Sequence, residues 1–551
     1  MLTGMEAAQK KVVIVGGVAG GMSAATRLRR LDEHAEIVVF ERSGHVSFAN
    51  CGLPYFLGGV IEHRSALLLQ TPASLGERFN LDVRVRHEVT AIDPAAKTVT
   101  VRNLDTGAAT TESYDALVLS PGAAPFVPDI PGRERAFALR NIEDTDALDA
   151  RLARIEGDAE SERTAVVMGA GFIGLEVAEN LAGRGWATTV VELADQVMAP
   201  FDPEMAALVQ ARLEAGGVRV LLNTSVGEIS PSGVALSDGT RLAASLVVAA
   251  IGVRPESGLA KAAGLAVSDR GGIIVDAAQR TSDPSIYAVG DAVLKTDGVS
   301  GAPTPNWLAN PANRQGRLVA DVIAGRDVAF PPVLGTAIVG VFGLQAAATG
   351  WSEKRARAEG WAVRVIHTHP ADHAGYYPGA KPMALKLVVD AATDAILGAQ
   401  GVGESGVDKR IDVIATAMRG GLTASDLADL ELAYAPQFGS AKDPVNMLGM
   451  IAENLRDGVT ETIQWHELDA AVRGGVPLID VRTPAEFARG AIPGAVNIPV
   501  DDLRGRLGEV SDGAIVHCQV GLRGYIAARL LAGHGIKVRN LDGGYRTWAR
   551  I

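Results

Sequence analysis

Two segments of the chain share one pattern of apolar and polar positions. Each starts with a short apolar run, passes through a glycine-rich turn into a stretch of helical periodicity, and returns to an apolar run that ends at an acid. The first has its strand-like runs at residues 12–15 and 37–40, and the second at residues 165–168 and 188–191, the last of which begins with two threonines. Continuous apolar runs of this length are typical of strands buried on both faces. The pattern predicts two strand–turn–helix–strand units, each in a parallel sheet covered by helices.

The glycines and acids of these units have the spacing of dinucleotide-binding motifs. Glycines let a pyrophosphate approach the backbone at a helix N-terminus, and the acid accepts hydrogen bonds from ribose hydroxyls. Glu41 stands 25 residues after Gly16, and Glu192 stands 23 residues after Gly169, close to the expected spacing of about 20. Glycines that only permit tight packing are the alternative, but two units with correctly placed acids favour nucleotide binding. The candidate residues are Gly16, Val18 (in place of the second glycine), Gly21 and Glu41 in the first unit, and Gly169, Gly171, Gly174 and Glu192 in the second.

A further acid, Asp291, closes the apolar run of residues 286–290. A carboxylate at the end of a buried strand suits the ribityl hydroxyls of a flavin, whereas a turn aspartate is the alternative. The apolar runs within residues 117–122 and 247–252 end in glycine, as is typical of crossings between two nucleotide-binding domains.

The order of these segments predicts the domains of an α/β protein. Residues 11–120 and 246–326 form a discontinuous Rossmann-like domain, and residues 121–245 form a second one. Residues 327–450 carry no nucleotide motif and are interpreted as an α/β interface domain, followed by a linker at residues 451–459. Residues 460–551 hold three candidate strands, at residues 477–480, 514–517 and 537–541, and are long enough for one small α/β domain.

Composition limits the function further. The 551 residues carry a net charge of −12, which argues against a general binder of nucleic acid or anionic membranes. The uncharged stretch between Asp327 and Glu353 contains prolines and glycines, so we expect buried strands and a helix there instead of a membrane span. No signal-peptide pattern is visible, and two isolated cysteines form neither a disulfide framework nor a four-cysteine zinc site. We expect a cytoplasmic protein.

Residues 47–55, with the sequence SFANCGLPY, resemble the active-site segment of single-cysteine flavoprotein disulfide reductases. Together with residues 434–436 (YAP) and 441–447 (AKDPVNM), they are similar to the coenzyme A disulfide reductase family. The C-terminal domain resembles rhodanese domains. The chain thus resembles fusions of the two, which are also described as persulfide reductases.

The resemblance implies a homodimer whose first Rossmann-like domain binds FAD, with Asp291 at the flavin, and whose second binds NADH or NADPH. Glu192 has no arginine after it and would repel a 2′-phosphate, which favours NADH. By the same resemblance, coenzyme A contacts Ser23, Arg27, Arg30, Ser47, Asn50, Asn313 and Lys442, and Tyr376 and Tyr434 complete the active site of the partner subunit. From spacing alone, Arg27 and Arg30 share a helix face that could equally be a solvated one. Tyr376 by itself would be interpreted as a packed loop aromatic.

Cys51 is the candidate redox cysteine. It has no neighbouring cysteine in sequence, so its oxidised form must be a mixed disulfide with a small thiol or a sulfenic acid. Cys51 precedes a short predicted helix, and we expect the helix N-terminus to lower the pKa of the thiol. An inert buried cysteine is the alternative.

In the last domain, Cys518 begins the segment CQVGLR, which resembles the rhodanese loop that cradles a cysteine persulfide with backbone N–H groups. Residues 480–482 (DVR) and 542–545 (DGGY) also fit a rhodanese domain. Ala491 departs from it, because rhodanese domains usually have histidine there. A structural domain without activity is the alternative.

Three histidines, His367, His369 and His373, invite a metal interpretation, since alternate residues of a strand share a face. The family that the chain resembles needs no metal, and we expect no metal site.

These observations lead to one hypothesis for the function: an FAD-dependent NAD(P)H oxidoreductase that reduces coenzyme A disulfide, coenzyme A persulfide or polysulfide through a Cys51–coenzyme A mixed disulfide, with Cys518 supplying sulfane sulfur. Three alternatives stay open. They are an NADH oxidase or peroxidase that cycles through a Cys51 sulfenic acid, a sulfurtransferase with a regulatory flavin domain, and a redox-sensing scaffold without enzymatic turnover.

Overall fold

The structure, a computed structural model, describes residues 9–550. The chain folds into two compact units. The first comprises the chain up to Asp195 together with Gly216–Val333, and the second comprises Gln196–Ala215 together with the chain from Leu334 onward. Among the described residues, no helix is both long enough and apolar enough to span a bilayer. The stretch after Asp327 instead contributes the strands Ala337–Val341 and Leu344–Gly350, as the sequence predicts. The helix that was also expected there is absent from this described stretch, since the next helix begins only at Glu353.

The first unit contains a sheet of five parallel strands with helices on one face. Its strands run, from edge to edge, Ile286–Ala288, Ala116–Leu119, Lys11–Val15, Glu36–Glu41 and Asp82–Val85. Side chains of successive residues enter different cores: Val12 and Ile14 face one apolar cluster, and Val13 faces the other. Both faces of the sheet are therefore buried, which explains the continuous apolar runs. The helices Ala19–Leu31 and Ala309–Ile323 pack against each other. An antiparallel sheet of His87–Asp93, Thr98–Asn103 and Ala109–Ser113 adjoins.

A second parallel sheet in the same unit runs Arg219–Leu221, Ala187–Val191, Thr164–Met168 and Leu246–Ala249. The last of these strands pairs with Thr164–Met168. It thus belongs to the second sheet, although the predicted boundary at residue 246 assigns it to the first domain. The crossings between the sheets are the paired strands Ala123–Pro125 and Val253–Pro255. The remaining antiparallel strands are Val226–Ser230, Gly233–Leu236 and Arg241–Ala243.

Other elements of the first unit are short or lie outside the sheets. The helices are Leu53–Leu57, Pro72–Phe79, Ile142–Glu156, Phe172–Gly183 and Gly258–Ala262, and the strands are Lys295–Thr296 and Pro303–Thr304. Single 3-10 turns lie at Asn50–Gly52, Arg64–Leu67, Arg133–Arg135 and Gly290–Ala292.

The second unit begins with an antiparallel five-stranded sheet. Its order is Ala337–Val341, Leu344–Gly350, Ile396–Gly403, Met383–Asp390 and Val363–Thr368. The helices of this region are Pro203–Ala215, Glu353–Ala358, Val407–Gly420 and Pro444–Arg456, with a 3-10 turn at Ser425–Asp429. The interpretation of residues 451–459 as a linker is corrected for residues 451–456. They continue the helix that Asp443 caps, and Ala452 is buried in the core of this region.

The C-terminal part of the second unit is a parallel five-stranded sheet. Its order is Glu461–Ile463, Arg539–Leu541, Ile515–His517, Leu478–Asp480 and Ala495–Asn497. The helices are Trp465–Arg473, Pro484–Ala488, Leu522–Gly533 and Gly544–Trp548, with 3-10 turns at Leu503–Gly505 and Leu507–Glu509. The three predicted strands are present. The other two, Glu461–Ile463 and Ala495–Asn497, were missed because they are partly exposed edge strands without a continuous apolar run. The predicted fold class is confirmed.

Two glycines set the geometry of the nucleotide-binding turns. A Cβ on Gly21 would lie 1.9 Å from the carbonyl oxygen of Gly16, and one on Gly174 would lie 2.0 Å from that of Gly169. Each helix can therefore start directly against its strand only because these side chains are absent. Gly171 differs, since a Cβ there would meet nothing within 4 Å.

The substitution Gly174→Ala should destabilise the second nucleotide-binding domain by about 1–3 kcal/mol, because the methyl group must displace backbone. Gly171→Ala is the matched control from the same turn and should leave stability within about 0.5 kcal/mol. Urea unfolding of both variants, monitored by proteolysis, measures the difference in the free energy of unfolding. Equal stabilities of the two variants would contradict this account of the turn.

Candidate functional site

The first glycine turn is built to hold a phosphorylated ligand. Glu41 accepts hydrogen bonds from the N–H groups of Gly17 and Ser43, each at 2.8 Å, which fixes its carboxylate beside the turn. The helix Ala19–Leu31 has no side-chain cap and no acid in its first turn, so its N–H groups and positive dipole end are available to an anion. Val18 occupies this turn with a φ of −114°, outside the left-handed region that favours glycine.

Asp291 lies on the 3-10 turn after the strand Ile286–Ala288. Its Oδ1 is shielded from solvent and has no hydrogen-bond partner among residues 9–550, and burial raises the pKa of this carboxyl. Lys295 supports the turn by donating to the carbonyls of Gly290 and Asn306 at 2.6 and 2.8 Å. Burial lowers the pKa of Lys295 to about 8. An orphaned acceptor at this position fits the ribityl hydroxyl of a flavin.

The second glycine turn repeats the arrangement. Gly171 caps the helix Phe172–Gly183 without a side-chain hydrogen bond. Glu192 accepts from the N–H groups of Ala170 and Ala194 at 2.7 and 2.8 Å. The carboxylate is thus oriented at the strand end, where a ribose of a nicotinamide dinucleotide would be recognised.

Cys51 lies on the 3-10 turn Asn50–Gly52, directly before the five-residue helix Leu53–Leu57. The residue is exposed, yet protein atoms crowd the thiol. This partial desolvation raises the pKa of Cys51, and the negative charges of Glu176 and Asp291 raise it further. The expectation that the helix N-terminus lowers this pKa is therefore wrong. A helix of five residues has a small dipole, and burial of the thiol together with the surrounding carboxylates outweighs it.

The carboxylate of Glu176 is a feature of this site that the sequence analysis missed. It lies on the helix Phe172–Gly183, and Tyr55 donates its hydroxyl to it at 3.1 Å. Burial raises the pKa of Glu176. The only sequence signal is an acid two residues after Gly174, on a helix already assigned to nucleotide binding.

Several of the residues that resemblance assigns to coenzyme A lie on two facing helices of the first unit. The hydroxyl of Ser23 donates to Asn313 Oδ1 at 2.7 Å, and Arg27 pairs with Asp321 at 2.7 Å. Arg30 and Asn50 are exposed. Ser47 has a φ of +48°, and its N–H donates to the Gly17 carbonyl at 2.9 Å, which ties the Cys51 segment to the first glycine turn. Lys442, in the second unit, is exposed.

Tyr376 and Tyr434 meet in the second unit, with their hydroxyl oxygens 2.8 Å apart. Their side chains are 76% and 48% exposed, so Tyr376 is not a packed loop aromatic. The hydrogen bond to Tyr434 raises the pKa of Tyr376. The pair presents two adjacent phenols on an open surface.

Cys518 has a different environment from Cys51. It is fully buried, and its Sγ accepts a hydrogen bond from the N–H of Gly521 at 3.1 Å. The loop then enters the helix Leu522–Gly533, which has no side-chain cap. A backbone N–H group at the start of this helix thus donates to the sulfur, an arrangement suited to an anionic sulfur species.

A cavity of about 360 Å³ adjoins the Cys518 loop, lined by Arg482, Glu486, Arg489, Gly490, Gln519, Tyr545 and Arg546. Arg523 and Glu486 form a bidentate pair at 2.7 Å, and this hydrogen-bonded pair lowers the pKa of Glu486 to about 2. Arg482 is buried on Asp480 and also donates to the Gly490 carbonyl at 2.7 Å. This hydrogen bond orders the chain immediately before Ala491, the position at which rhodanese domains usually have a histidine. The cationic lining was not predicted, since Arg489 and Arg546 carry no motif.

Comparison with known proteins identifies the families of the domains that carry these residues. Residues 10–316 match the pyridine nucleotide-disulphide oxidoreductase family, residues 336–444 match its dimerisation domain, and residues 464–551 match the rhodanese-like domain. The coenzyme A disulfide reductase of Staphylococcus haemolyticus is 36% identical over 447 residues, which cover 81% of this chain and 100% of that protein.

Two solved structures are similar over 98% of the chain. Reduced CoADR-RHD from Bacillus anthracis has a TM-score of 0.96 at 48% identity, with 98% of that chain covered. An NAD-dependent persulfide reductase from A. fulgidus has a TM-score of 0.91 at 38% identity, with 100% of that chain covered. The resemblance to reductase–rhodanese fusions is confirmed. The chain therefore belongs to the pyridine nucleotide-disulphide oxidoreductase family and carries a rhodanese-like domain at its C-terminal end.

Proposed function

We propose that this enzyme reduces coenzyme A disulfide and coenzyme A persulfide or polysulfide, with Cys51 as the redox cysteine. One observation carries the proposal: the chain has two cysteines, both free, and Cys51 is the only one in its unit. An exposed thiol between two dinucleotide-binding motifs must therefore take its disulfide partner from solution. The names of the similar proteins support coenzyme A or its persulfide as that partner.

The chemistry at Cys51 balances with one external thiol. The Cys51 thiolate attacks a sulfur of coenzyme A disulfide, forms the Cys51–coenzyme A mixed disulfide and releases one coenzyme A thiolate. Two electrons then cleave the mixed disulfide into the Cys51 thiolate and a second coenzyme A thiolate. NADH and FAD, when bound, supply these electrons as a hydride equivalent.

Residues of the chain hold the cofactors and the substrate. Glu41, Asp291 and the first glycine turn would hold FAD, and Glu192 with the second turn would hold NADH. Ser23, Arg27, Arg30 and Asn313 provide hydroxyl, amide and guanidinium groups for a phosphorylated thiol, joined by Ser47, Asn50 and Lys442. A dimer, which the dimerisation domain favours, would add Tyr376 of the partner subunit and Tyr434 of the partner subunit as proton donors to the departing thiolate.

Cys518 would supply the sulfane sulfur. Its thiolate attacks the outer sulfur of a persulfide or polysulfide, becomes a persulfide, and releases the shortened donor as a thiolate. The N–H groups of the loop stabilise the anionic terminal sulfur. Passing that sulfur to coenzyme A gives the persulfide that Cys51 then reduces, and hydrogen sulfide leaves.

The substitution Cys51→Ser should abolish NADH-dependent reduction of coenzyme A disulfide, a fall of at least about 10³-fold, because an alcohol cannot form the mixed disulfide. Cys518→Ser, the matched control, should retain that activity and lose polysulfide-dependent turnover. Steady-state NADH oxidation with each substrate measures both. Full disulfide reduction by Cys51→Ser would refute the proposal. A mass of one coenzyme A, released by reductant and mapped to Cys51, would support it independently.

The substitution Glu176→Gln should make Cys51 more acidic, because it removes a negative charge that disfavours the thiolate. We expect the midpoint of the iodoacetamide alkylation rate against pH to fall by about half a pH unit or more. Glu179→Gln, on the same helix, is the control and should leave the midpoint in place. An unchanged or higher midpoint in Glu176→Gln would show that this carboxylate does not act on the thiol.

A further inference from the structure

A buried histidine joins the rhodanese-like domain to the sheet that precedes it. His367 lies near the end of the strand Val363–Thr368, with 4% of its surface exposed. Its Nδ1 is 2.6 Å from Asp542 Oδ2, and its Nε2 is 2.9 Å from Glu204 Oε1. The backbone N–H of His367 also donates to the Asp542 carboxylate, at 3.0 Å. Both ring nitrogens are therefore held by carboxylates.

Asp542 lies next to the segment that supports the Cys518 loop. It follows the strand Arg539–Leu541, and the helix Gly544–Trp548 begins two residues later. The N–H of Tyr545 donates to the Cys518 carbonyl at 2.8 Å. A Cβ on Gly543 would lie 2.9 Å from His367 Cβ, and one on Gly544 would lie 2.5 Å from the Cys518 carbonyl oxygen. The loop and the histidine are thus both packed closely against the same short segment.

The other end of the contact is anchored by a buried ammonium group. Lys386, which pairs with His367 across neighbouring strands, contacts Glu204, lies 3.0 Å from Asp202 and lies 2.8 Å from Glu353. These three carboxylates are close enough to hold a cation, and the lysine side chain lies among them. Lys386 therefore holds the Glu204 carboxylate in place, and His367 contacts a carboxylate whose position is already fixed.

We propose that His367 is a positioning residue that locks the Cys518 loop to the preceding sheet through Asp542 on one ring nitrogen and Glu204 on the other. Release of the lock loosens the loop and slows sulfur transfer at Cys518, while disulfide reduction at Cys51 continues. The activity consequence rests on the proposed function, whereas the lock itself does not.

The charges around His367 determine when the lock holds. Burial alone would lower the pKa of His367, but Asp542 and Glu204 outweigh it and raise the pKa to about 9, against the opposing charge of Lys386. His369, two residues along the strand, bonds Thr547, and burial with Arg550, His367 and Arg546 keeps its pKa low. His367 binds a proton more tightly in the folded state. Its stabilisation is therefore complete below pH 6.5 and is lost as the pH rises through about 9.

Hydrogen–deuterium exchange of the full-length holoenzyme tests the lock directly. The protection factors of the Gly521 and Tyr545 amides, whose N–H groups bond Cys518, should fall about 10-fold in the wild type between pH 8 and 10. In His367→Gln they should be low and independent of pH. His367→Asn should keep more protection than His367→Gln. The asparagine amide nitrogen takes the place of Nδ1 and retains the hydrogen bond to Asp542, whereas the glutamine amide takes the place of Nε2. If His367 only fills space, amide protection would be equal in the two variants or higher in His367→Gln than in His367→Asn.

Activity assays separate the lock from the function. His367→Gln should slow thiosulfate-to-cyanide sulfur transfer at least 5-fold and leave coenzyme A disulfide reduction unchanged. His534→Gln, an exposed histidine of the same domain, is the control. Protection of Gly521 and Tyr545 that is equal in the wild type and in His367→Gln, and constant from pH 8 to 10, would overturn the lock. A wild type without sulfur transfer would instead refute the rhodanese half of the proposed function, and the exchange result would still decide the lock. If His367→Gln fails to fold, the pH profile of the wild type decides alone.

Discussion

The close approach of backbone to backbone at two glycine turns is the constraint on which the first unit depends. Where Gly21 and Gly174 meet the carbonyls of Gly16 and Gly169, no side chain could be inserted. This contact starts each helix directly above its strand, aims unpaired N–H groups outward and places the carboxylates of Glu41 and Glu192 beside them. The Cys51 segment is tied to the first turn by the N–H of Ser47. These two backbone contacts therefore fix the positions of the Glu41 and Glu192 carboxylates and of the Cys51 segment.

Features with a local physical signal could be predicted from the sequence. The buried parallel strands around Val13 and Val166 appear as continuous apolar runs, and the glycine turns have fixed spacing. The proposed redox role of Cys51 rests on the resemblance of its whole segment and on the absence of a second cysteine nearby in sequence. The helix Ala19–Leu31 was also predicted, because helical periodicity accumulates over many residues.

Features that arise from long-range contacts could not be predicted. The strand Leu246–Ala249 joins the second sheet through pairing with Thr164–Met168, which no local pattern encodes. The pKa of Cys51 is raised by burial and then by Glu176, which lies 125 residues away in sequence; local reasoning considered only the helix dipole. His367 looked like half of a metal site because its carboxylate partners, Glu204 and Asp542, are far apart along the chain.

The cavity beside Cys518 affects which of the proposed sulfur donors reach this cysteine. The chain as a whole is strongly acidic, so anions are repelled at a distance. Within the cavity, Glu486 is neutralised by Arg523, and Arg489 and Arg546 remain on the lining. At physiological ionic strength the Debye length is about 8 Å, so mobile salt ions mask the far field while the local field inside the cavity persists. Encounter rates with anionic sulfur compounds should thus rise with added salt at first, and decline once the guanidinium groups themselves are shielded.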